Sequence, residues 1–335
     1  MTTRIAVIGG GRNSEHEVSL ASAVGVGDAL RQGGFAVTAL TIGRDGRWWH
    51  DGAALGATVA SSLAVAVTLL AATEAAVPVL HGPHGEDGTL AALCDLAGVP
   101  CVGSPVRAGA VAMDKWLTKL VARELGIAVA GGVLLTAADA VVPAWSGPVV
   151  VKPVAAGSSH GVTLVEDPAD LADAVTRASV HDDRVLVEGR VVGREVDVAV
   201  FRRPDGTLRV SPPLEIVVPD GLFDTAVKYG GGADFRCPAV LAVDEAAALV
   251  DASQALYVAL GCEGVARFDF FLTDRGLVLN EINTAPGSTA ESQVPRMYAA
   301  DGLGFAALLT ELVSAALVTY RAGTWDPDEH RRIAT

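Results

Sequence analysis

Apolar and polar positions change their period several times along the chain, and each change marks an element. Strand 4–8 opens on Arg4 and continues as an unbroken apolar run, Ile5 to Ile8, that ends in Gly9-Gly10-Gly11, which predicts a buried strand feeding a turn. A helix is expected from about Ser19 to the stop at Gly33-Gly34, followed by a strand over 35–42. Residues 76–80 repeat the buried-strand pattern before the loop HGPHGEDGT, and 90–97 reads as a helix before VPCVGS. Strand and helix therefore alternate through the first hundred residues, the pattern of a parallel sheet. Helical spacing returns over 114–125 and is closed by Gly126. Strand 148–152, the loop AAGSSHG, strand 161–165 and a helix capped by Asp167-Pro168 form a small α+β unit. From Arg184 onward come strands at 185–187, 195–201 and 209–210, then a polar, lid-like stretch, a hairpin and a last helix over 305–320. The charged tail after Gly323 is expected to fray.

The hairpin carries the first chemistry. The run GVARFDFFLTDRGLVLNEINTAPGST reads as two apolar strands joined by a turn at Thr273-Asp274-Arg275-Gly276. Residues two apart share a strand face, so Arg267 pairs with Asp269 on the first strand and Glu281 with Asn283 on the second. Two carboxylates and an amide are hard oxygen ligands that suit Mg²⁺, which completes its shell with water and substrate phosphates. An exposed hairpin with a charged outer face is the plainer alternative. The apolar inner partners and the Gly-containing segment 283–289 that follows weigh against it.

Lysine usage gives an independent pointer. The chain has only four lysines, Lys115, Lys119, Lys152 and Lys228, although arginine is abundant. A compact ammonium and a guanidinium are not interchangeable where a point charge must meet phosphate. Lys152 ends an apolar strand just before AAGSSHG, Lys228 lies in DTAVKYGGG, and Lys115 opens the helix DKWLTKLVAREL. Lys119, one turn later, is expected to be an ordinary solvated helix residue. The loop 156–161 offers backbone N–H groups and two hydroxyls that can fold over phosphates, with Lys152 at its base. Glu188 ends a strand where an adenine edge could be read, and Glu195 could take ribose hydroxyls; each taken alone also suits a surface acid.

The first glycine turn, Gly9-Gly10-Gly11-Arg12-Asn13-Ser14, invites a dinucleotide-binding reading, but Ser14 replaces the last glycine of that motif. The loop contains Glu15, His16 and Glu17, and a carboxylate at the C-terminal edge of a parallel sheet is well placed for a ligand ammonium group. A helix-capping role is the alternative for Glu15.

Composition narrows the field. The 335 residues suffice for two or three domains with buried cores. A formal charge of −14 argues against nucleic acid or an anionic membrane as partner, so an anionic substrate needs a local cationic pocket. Cys94, Cys101, Cys237 and Cys262 show no metal-binding spacing, so reduced thiols in the cytoplasm are expected. No signal peptide is visible in MTTRIAVIGG. Residues 52–73 carry no charge over a bilayer-spanning length, yet their Ala, Gly, Ser and Thr content and lack of flanking cations favour small-residue packing in an α/β domain.

Taken in order, GGGRNSEHEVSLASA, HGPHGEDGTL, GSPVRAGAVAMDKWLTK, VVVKPVAAGSSHGV, VLVEGRVVGREVDV, AVKYGGGADFRCPA and GVARFDFFLTDRGLVLNEINTAPGSTAESQVP resemble the D-alanine–D-alanine ligases of the ATP-grasp superfamily, over nearly the whole chain. The resemblance implies a three-domain ATP-grasp fold, α/β and α+β, with an N-terminal parallel-sheet domain. The expected divisions are 1–105 for the substrate-binding domain, 106–187 and 188–323 for the two ATP-grasp subdomains, and 324–335 as tail. It also implies ATP held by Lys115, Lys152, Glu188 and Glu195, with two Mg²⁺ ions, or Mn²⁺, on Asp269, Glu281 and Asn283. One amino acid's carboxylate would attack the γ-phosphate, and the amine of a second would displace phosphate from the acyl phosphate.

In that scheme Glu17 anchors the first ammonium group and His81 lies near the first carboxylate. Ser158 and Tyr229 link Glu17 to a lid containing Gly230-Gly231-Gly232. Arg267 and the Gly287 N–H stabilise the oxyanion, and Lys228 and Ser292 carry the second carboxylate. The partners are small amino acids, and a homodimer is usual in the family. Several residues depart from the family pattern: Ala155-Ala156, His160, Gly189, and Ser288, Glu291 and Gln293 near the acceptor site. The expected activity is D-alanyl-D-alanine formation for peptidoglycan precursors. The alternatives are a paralogue joining other amino acids, a nicotinamide-dependent reductase and a silent nucleotide-binding protein.

Overall fold

The computed structural model describes residues 2–136, 145–218 and 234–323. Three sheets organise them. The first contains β1 (Arg4–Gly10), β2 (Ala36–Ile42), β3 (Trp48–His50), β4 (Ala53–Ala54) and β5 (Ala75–Pro78) in the order β4-β3-β2-β1-β5. Strand β1 runs parallel to β2 and β5, while β3 and β4 add an antiparallel edge. Ile5, Ala6, Val7 and Ile8 are all buried, as an unalternated apolar strand covered on both faces should be.

Helix His16–Gln32 covers one face and starts three residues before the expected Ser19. Ser19 is buried within its first turn, where its hydroxyl accepts from Gly10 N and donates to Val79 O. That polar pin ties the helix start to the ends of two strands, a tether that apolar periodicity does not register. The uncharged stretch 52–73 forms helix Val59–Leu70, which buries Ser62, Ala66 and Leu70. Among the described residues no single helix is long and apolar enough to cross a membrane.

After the short β6 (Ala128–Val129), the second sheet is built from β7 (Gly132–Thr136), β8 (Val149–Pro153), β9 (Thr163–Val165) and β10 (Arg184–Gly189) in the order β7-β10-β8-β9, all antiparallel. Helix Leu171–Ser179 seals it with Leu171, Ala174 and Ala178.

The third sheet takes β11 (Arg194–Arg202), β12 (Leu208–Val210), β13 (Leu214–Val217), β14 (Asp234–Arg236), β15 (Val265–Thr273) and β16 (Gly276–Asn283), and recruits β6. Its order is β14-β13-β11-β15-β16-β6, with β12 paired to β11. One face buries Val196, Val198, Phe268 and Phe270 against Leu249, Leu256 and Tyr257 of helix Val243–Leu260. Each such side chain contributes about 1.5–3 kcal/mol. On the other face Ala199, Phe201 and Leu214 share one core with Ile5, Val7 and Leu30 and with helices Gln293–Ala300 and Phe305–Gly323. The first and third sheets are thus joined by a common apolar core, which fixes the walls of the cleft between them.

Candidate active site

In the hairpin β15–β16 Arg267 faces Asn283 and Asp269 faces Glu281, a register that regular alternation from the turn would miss by one residue and that a bulge supplies. Two carboxylates directly opposite one another repel, so the pair needs cations. Arg267 supplies one, donating from Nε and Nη2 to the two Asp269 oxygens, both at 2.7 Å. Lys115 supplies another, with Nζ 3.3 Å from Glu281 Oε2 and donating to Ala156 O at 2.8 Å. Burial opposes the charge on Arg267, but Asp269 and Asp197 outweigh it and hold the guanidinium firmly protonated. Asn283 Oδ1 accepts from Ala285 N at 3.0 Å.

Two carboxylates and an amide oxygen at one hairpin end fit a hard dication. Among the described residues no group of three His, Cys, Asp or Glu side chains is arranged to hold a metal, so water or phosphate oxygens would have to complete the shell. A bulge between Asp269 and Phe270 leaves Asn280 as the extra residue, since Phe270 pairs with Leu279. Asn280 Oδ1 accepts from Lys152 Nζ at 3.2 Å, tying the second sheet to the third.

Lys152 also pairs with Glu188 Oε1 on the neighbouring strand. The expectation for Lys119 is overturned: it is 1% exposed, with Nζ 3.0 Å from Glu188 Oε2. Helix Lys115–Glu124 buries Lys115, Thr118, Lys119 and Ala122, a stripe at positions i, i+3, i+4 and i+7 in which only Ala122 is apolar. Burial pulls the Lys119 ammonium down to about 8; Lys152 adds to the effect and Glu188 opposes it. Burial raises the Glu188 carboxyl, but the two lysines more than compensate and hold it below its ordinary value.

The loop after β8 lies against the first sheet. Ser158 donates to Glu15 Oε1, and Ser158 and Ser159 both adopt left-handed backbone, φ 50° and 57°. Non-glycine residues held there store strain of about 1–3 kcal/mol each and cluster at functional loops. The structure corrects the placement of Glu17. Its side chain is 73% exposed and paired with Arg44 at 3.0 Å, whereas Glu15 is 8% exposed and lines the cavity. The reason is the early helix start, which leaves Glu15 at the helix N-terminus facing inward and turns Glu17 to solvent.

His81 is buried, its Nδ1 donating to Ala285 O at 3.1 Å and lying 3.7 Å from Glu86 Oε1. Burial disfavours its charge, yet Glu86 and Glu15 raise its pKa overall.

Several of these groups line one cavity of about 280 Å³, whereas Lys119, Lys152 and Glu188 are absent from its lining. Its lining brings together His81, Lys115, Ser158, Arg267, Glu281, Asn283, Gly287 and Ser292 of the predicted residues. Glu86, Gln293 and Arg296 join them, and Asp269 sits behind Arg267. Ser292 Oγ accepts from Thr289 N, and a Cβ on Gly287 would lie 3.0 Å from that oxygen, so the turn is closely packed. Glu195 is half-buried on β11 between Ile216 and Phe271, away from the cavity lining. Lys228, Tyr229 and Gly230-Gly231-Gly232 lie outside the described residues.

Family models match both parts of the chain: D-ala D-ala ligase N-terminus over residues 4–104 and D-ala D-ala ligase C-terminus over 134–314. A D-alanine–D-alanine ligase of Mycolicibacterium gilvum (strain PYR-GCK) is 39% identical over 94% of this chain and 97% of its own length. The VanG D-Ala:D-Ser ligase from Enterococcus faecalis superposes with a TM-score of 0.79 at 32% identity, covering 94% of this chain and 100% of that one. The D-alanine-D-alanine ligase from Coxiella burnetii superposes with a TM-score of 0.81 at 28% identity, covering 99% and 97%.

Proposed function

The chain belongs to the D-alanine–D-alanine ligase family, and from that premise we propose that it joins two D-alanines, with ATP, into the peptidoglycan precursor dipeptide. The observation that carries this reading is the opposed pair Asp269 and Glu281, braced by Arg267 and Lys115 and facing the Glu15–Ser158 contact across one cavity. Phosphoryl chemistry and an ammonium anchor are then within reach of the same bound carboxylate.

In this reading Glu15, rather than Glu17, takes the ammonium group of the first amino acid, and His81 holds a positive edge toward its carboxylate. Lys115 and Lys152 meet the phosphates, and Glu188 and Glu195 read the nucleoside. Asp269, Glu281 and Asn283 would hold Mg²⁺, whose charge would neutralise that of the triphosphate. Arg267 and the Gly287 N–H then stabilise the oxyanion as the second amine displaces phosphate; a donor so placed contributes about 3 kcal/mol. Ser292, with Lys228, carries the second carboxylate. Lys228, Tyr229 and the glycines beside them act as a lid that excludes water, which matters because an acyl phosphate hydrolyses. We divide the chain at 105, 187 and 323 for these roles, and assign a cytoplasmic homodimer.

A second reading, in which the acceptor is not D-alanine, is favoured by one observation: Glu291, one of the residues that depart from the family pattern, lines the cavity and pairs with Arg296 there at 2.8 Å. Phosphate release in the presence of ATP, Mg²⁺ and a panel of single and paired D- and L-amino acids separates the two. Release with D-alanine alone is expected. Release only with D-alanine plus another amino acid moves the conclusion to the second reading, and no release with any pair overturns both.

A further inference from the structure

Arg267 is held from more sides than its pairing with Asp269 requires. Besides the two bonds to Asp269, its Nη1 donates to Gln293 Oε1 at 2.6 Å, and its Nε lies 3.5 Å from Asp197 Oδ2. Gln293 Nε2 in turn donates to the same Asp197 oxygen at 3.1 Å. Asp197, Gln293 and Arg267 therefore close a ring, and Asp269, which faces Asp197 in the register of β11 and β15, completes it.

Asp197 is fully buried in a strand whose neighbours Val196, Val198, Ala199 and Val200 are equally buried. A carboxylate there carries a desolvation cost of several kcal/mol unless it is paired. The cleft reading gives it no part in binding either substrate. Gln293 opens helix Gln293–Ala300 directly after Ser292, so it sits where the acceptor wall meets the floor of the site.

We propose that Asp197 and Gln293 are positioning residues: they fix the plane of the Arg267 guanidinium and couple it to the acceptor-side helix. A guanidinium has five N–H donors in a rigid fork. Asp269 takes two of them along one edge, which still allows the fork to rock about that edge. The third bond, to Gln293, removes the rocking, and Asp197 fixes the amide by holding its other end. The residue therefore acts on the rate of the step that develops charge, not on the affinity for either amino acid. This rests on the reading of Arg267 as the oxyanion donor.

The test is steady-state kinetics with ATP and D-alanine, together with thermal unfolding of every variant. Gln293→Leu keeps the bulk of the side chain and removes both bonds; kcat should fall about 10- to 100-fold, the loss expected of a mispositioned group, with both D-alanine KM values within about threefold. Gln293→Glu places two carboxylates at hydrogen-bond distance and should fall at least as far. Adding Asp197→Asn to Gln293→Glu exchanges donor and acceptor while keeping the net charge, and should recover kcat to within about threefold of the parent. A purely packing role does not distinguish the exchanged pair from the single variant.

If Gln293→Leu keeps kcat, or changes only the acceptor KM, while Arg267→Lys is crippled, the positioning role is wrong and the oxyanion role stands. If Arg267→Lys itself turns over at the parent rate, the reading beneath the proposal fails with it. Failure of the exchanged pair to recover, in a variant that unfolds at the parent temperature, also overturns the proposal.

Discussion

Two glutamates separated by the single residue His16 meet opposite fates: Glu15 is buried against Ser158, and Glu17 reaches solvent and Arg44. Charge-assisted hydrogen bonds are worth about 1.5–3 kcal/mol. Glu15→Gln should therefore raise the KM for the first D-alanine by about tenfold or more, and Glu17→Gln should leave it within twofold; initial-rate kinetics showing the reverse order would restore Glu17. Lys119 gives a prediction in pH. Its folded value of about 8 lies below the ordinary 10.5, so between these values the unfolded chain binds more protons and stability rises with pH. Below pH 8 both states are protonated and the cost of burying the charge is fully present. Relative to Lys119→Met, the native chain should gain up to about 3 kcal/mol from pH 8 to 10.5, read by urea unfolding across that range. A flat difference would mean that the ammonium is not desolvated.

The same residues show what the sequence discloses. Period-two alternation was enough to pair Arg267 with Asp269 and Glu281 with Asn283. The inward face of helix Lys115–Glu124 was hidden because it inverts the amphipathic rule, leaving Leu117 and Leu120 at 40% and 42% exposure. That helix packs a mostly polar stripe toward Glu188 and Glu281, and its spacing at 115, 118, 119 and 122 was the available signal.

Among elements, short strands were missed as well as helices: β3, β4, β6, β7, β13 and β14 had no expected counterpart. Unalternated apolar runs located β1 and β5, whereas helices Val106–Met113, Val243–Leu260 and Gln293–Ala300 went unmarked. Val106–Met113 is a short run of small residues chosen for close approach, which leaves little apolar periodicity to detect. Gly109 shows the approach: a Cβ there would lie 2.7 Å from Glu86 O and 2.9 Å from Gly88 N. Gly109→Ala must push this helix away from the HGPHGEDGT loop, and we expect a loss of about 1–3 kcal/mol in chemical denaturation. A change below about 0.5 kcal/mol, the scale of an ordinary surface substitution, would show that the two elements do not bear on each other.

Across the whole molecule, polar side chains make several crossings between sheets. Ser158 to Glu15 joins the second sheet to the first, Lys152 to Asn280 joins the second to the third, and His81 to Ala285 O joins the first to the third. Ser158→Ala cuts the first crossing and leaves in place Lys115, Lys152, Glu188 and Glu195, the side chains proposed to hold the nucleotide. A ligand at 100 times its Kd stabilises the native state by about 2.7 kcal/mol. Thermal shifts should therefore show that ATP with Mg²⁺ still raises the melting temperature of this variant, while the further rise on adding D-alanine shrinks. An undiminished second rise would separate the crossing from amino-acid binding.

Under the proposed function each of these crossings uses a residue assigned to a substrate, so stiffness between sheets and fit to the reactants would share the same atoms. A lineage adapting this protein to heat or cold cannot tighten or loosen its joints there without retuning its appetite for building blocks. Room for climatic adjustment lies instead in the apolar layers, such as the one shared by Ile5, Phe201 and Leu214, outside the lining of the substrate cavity.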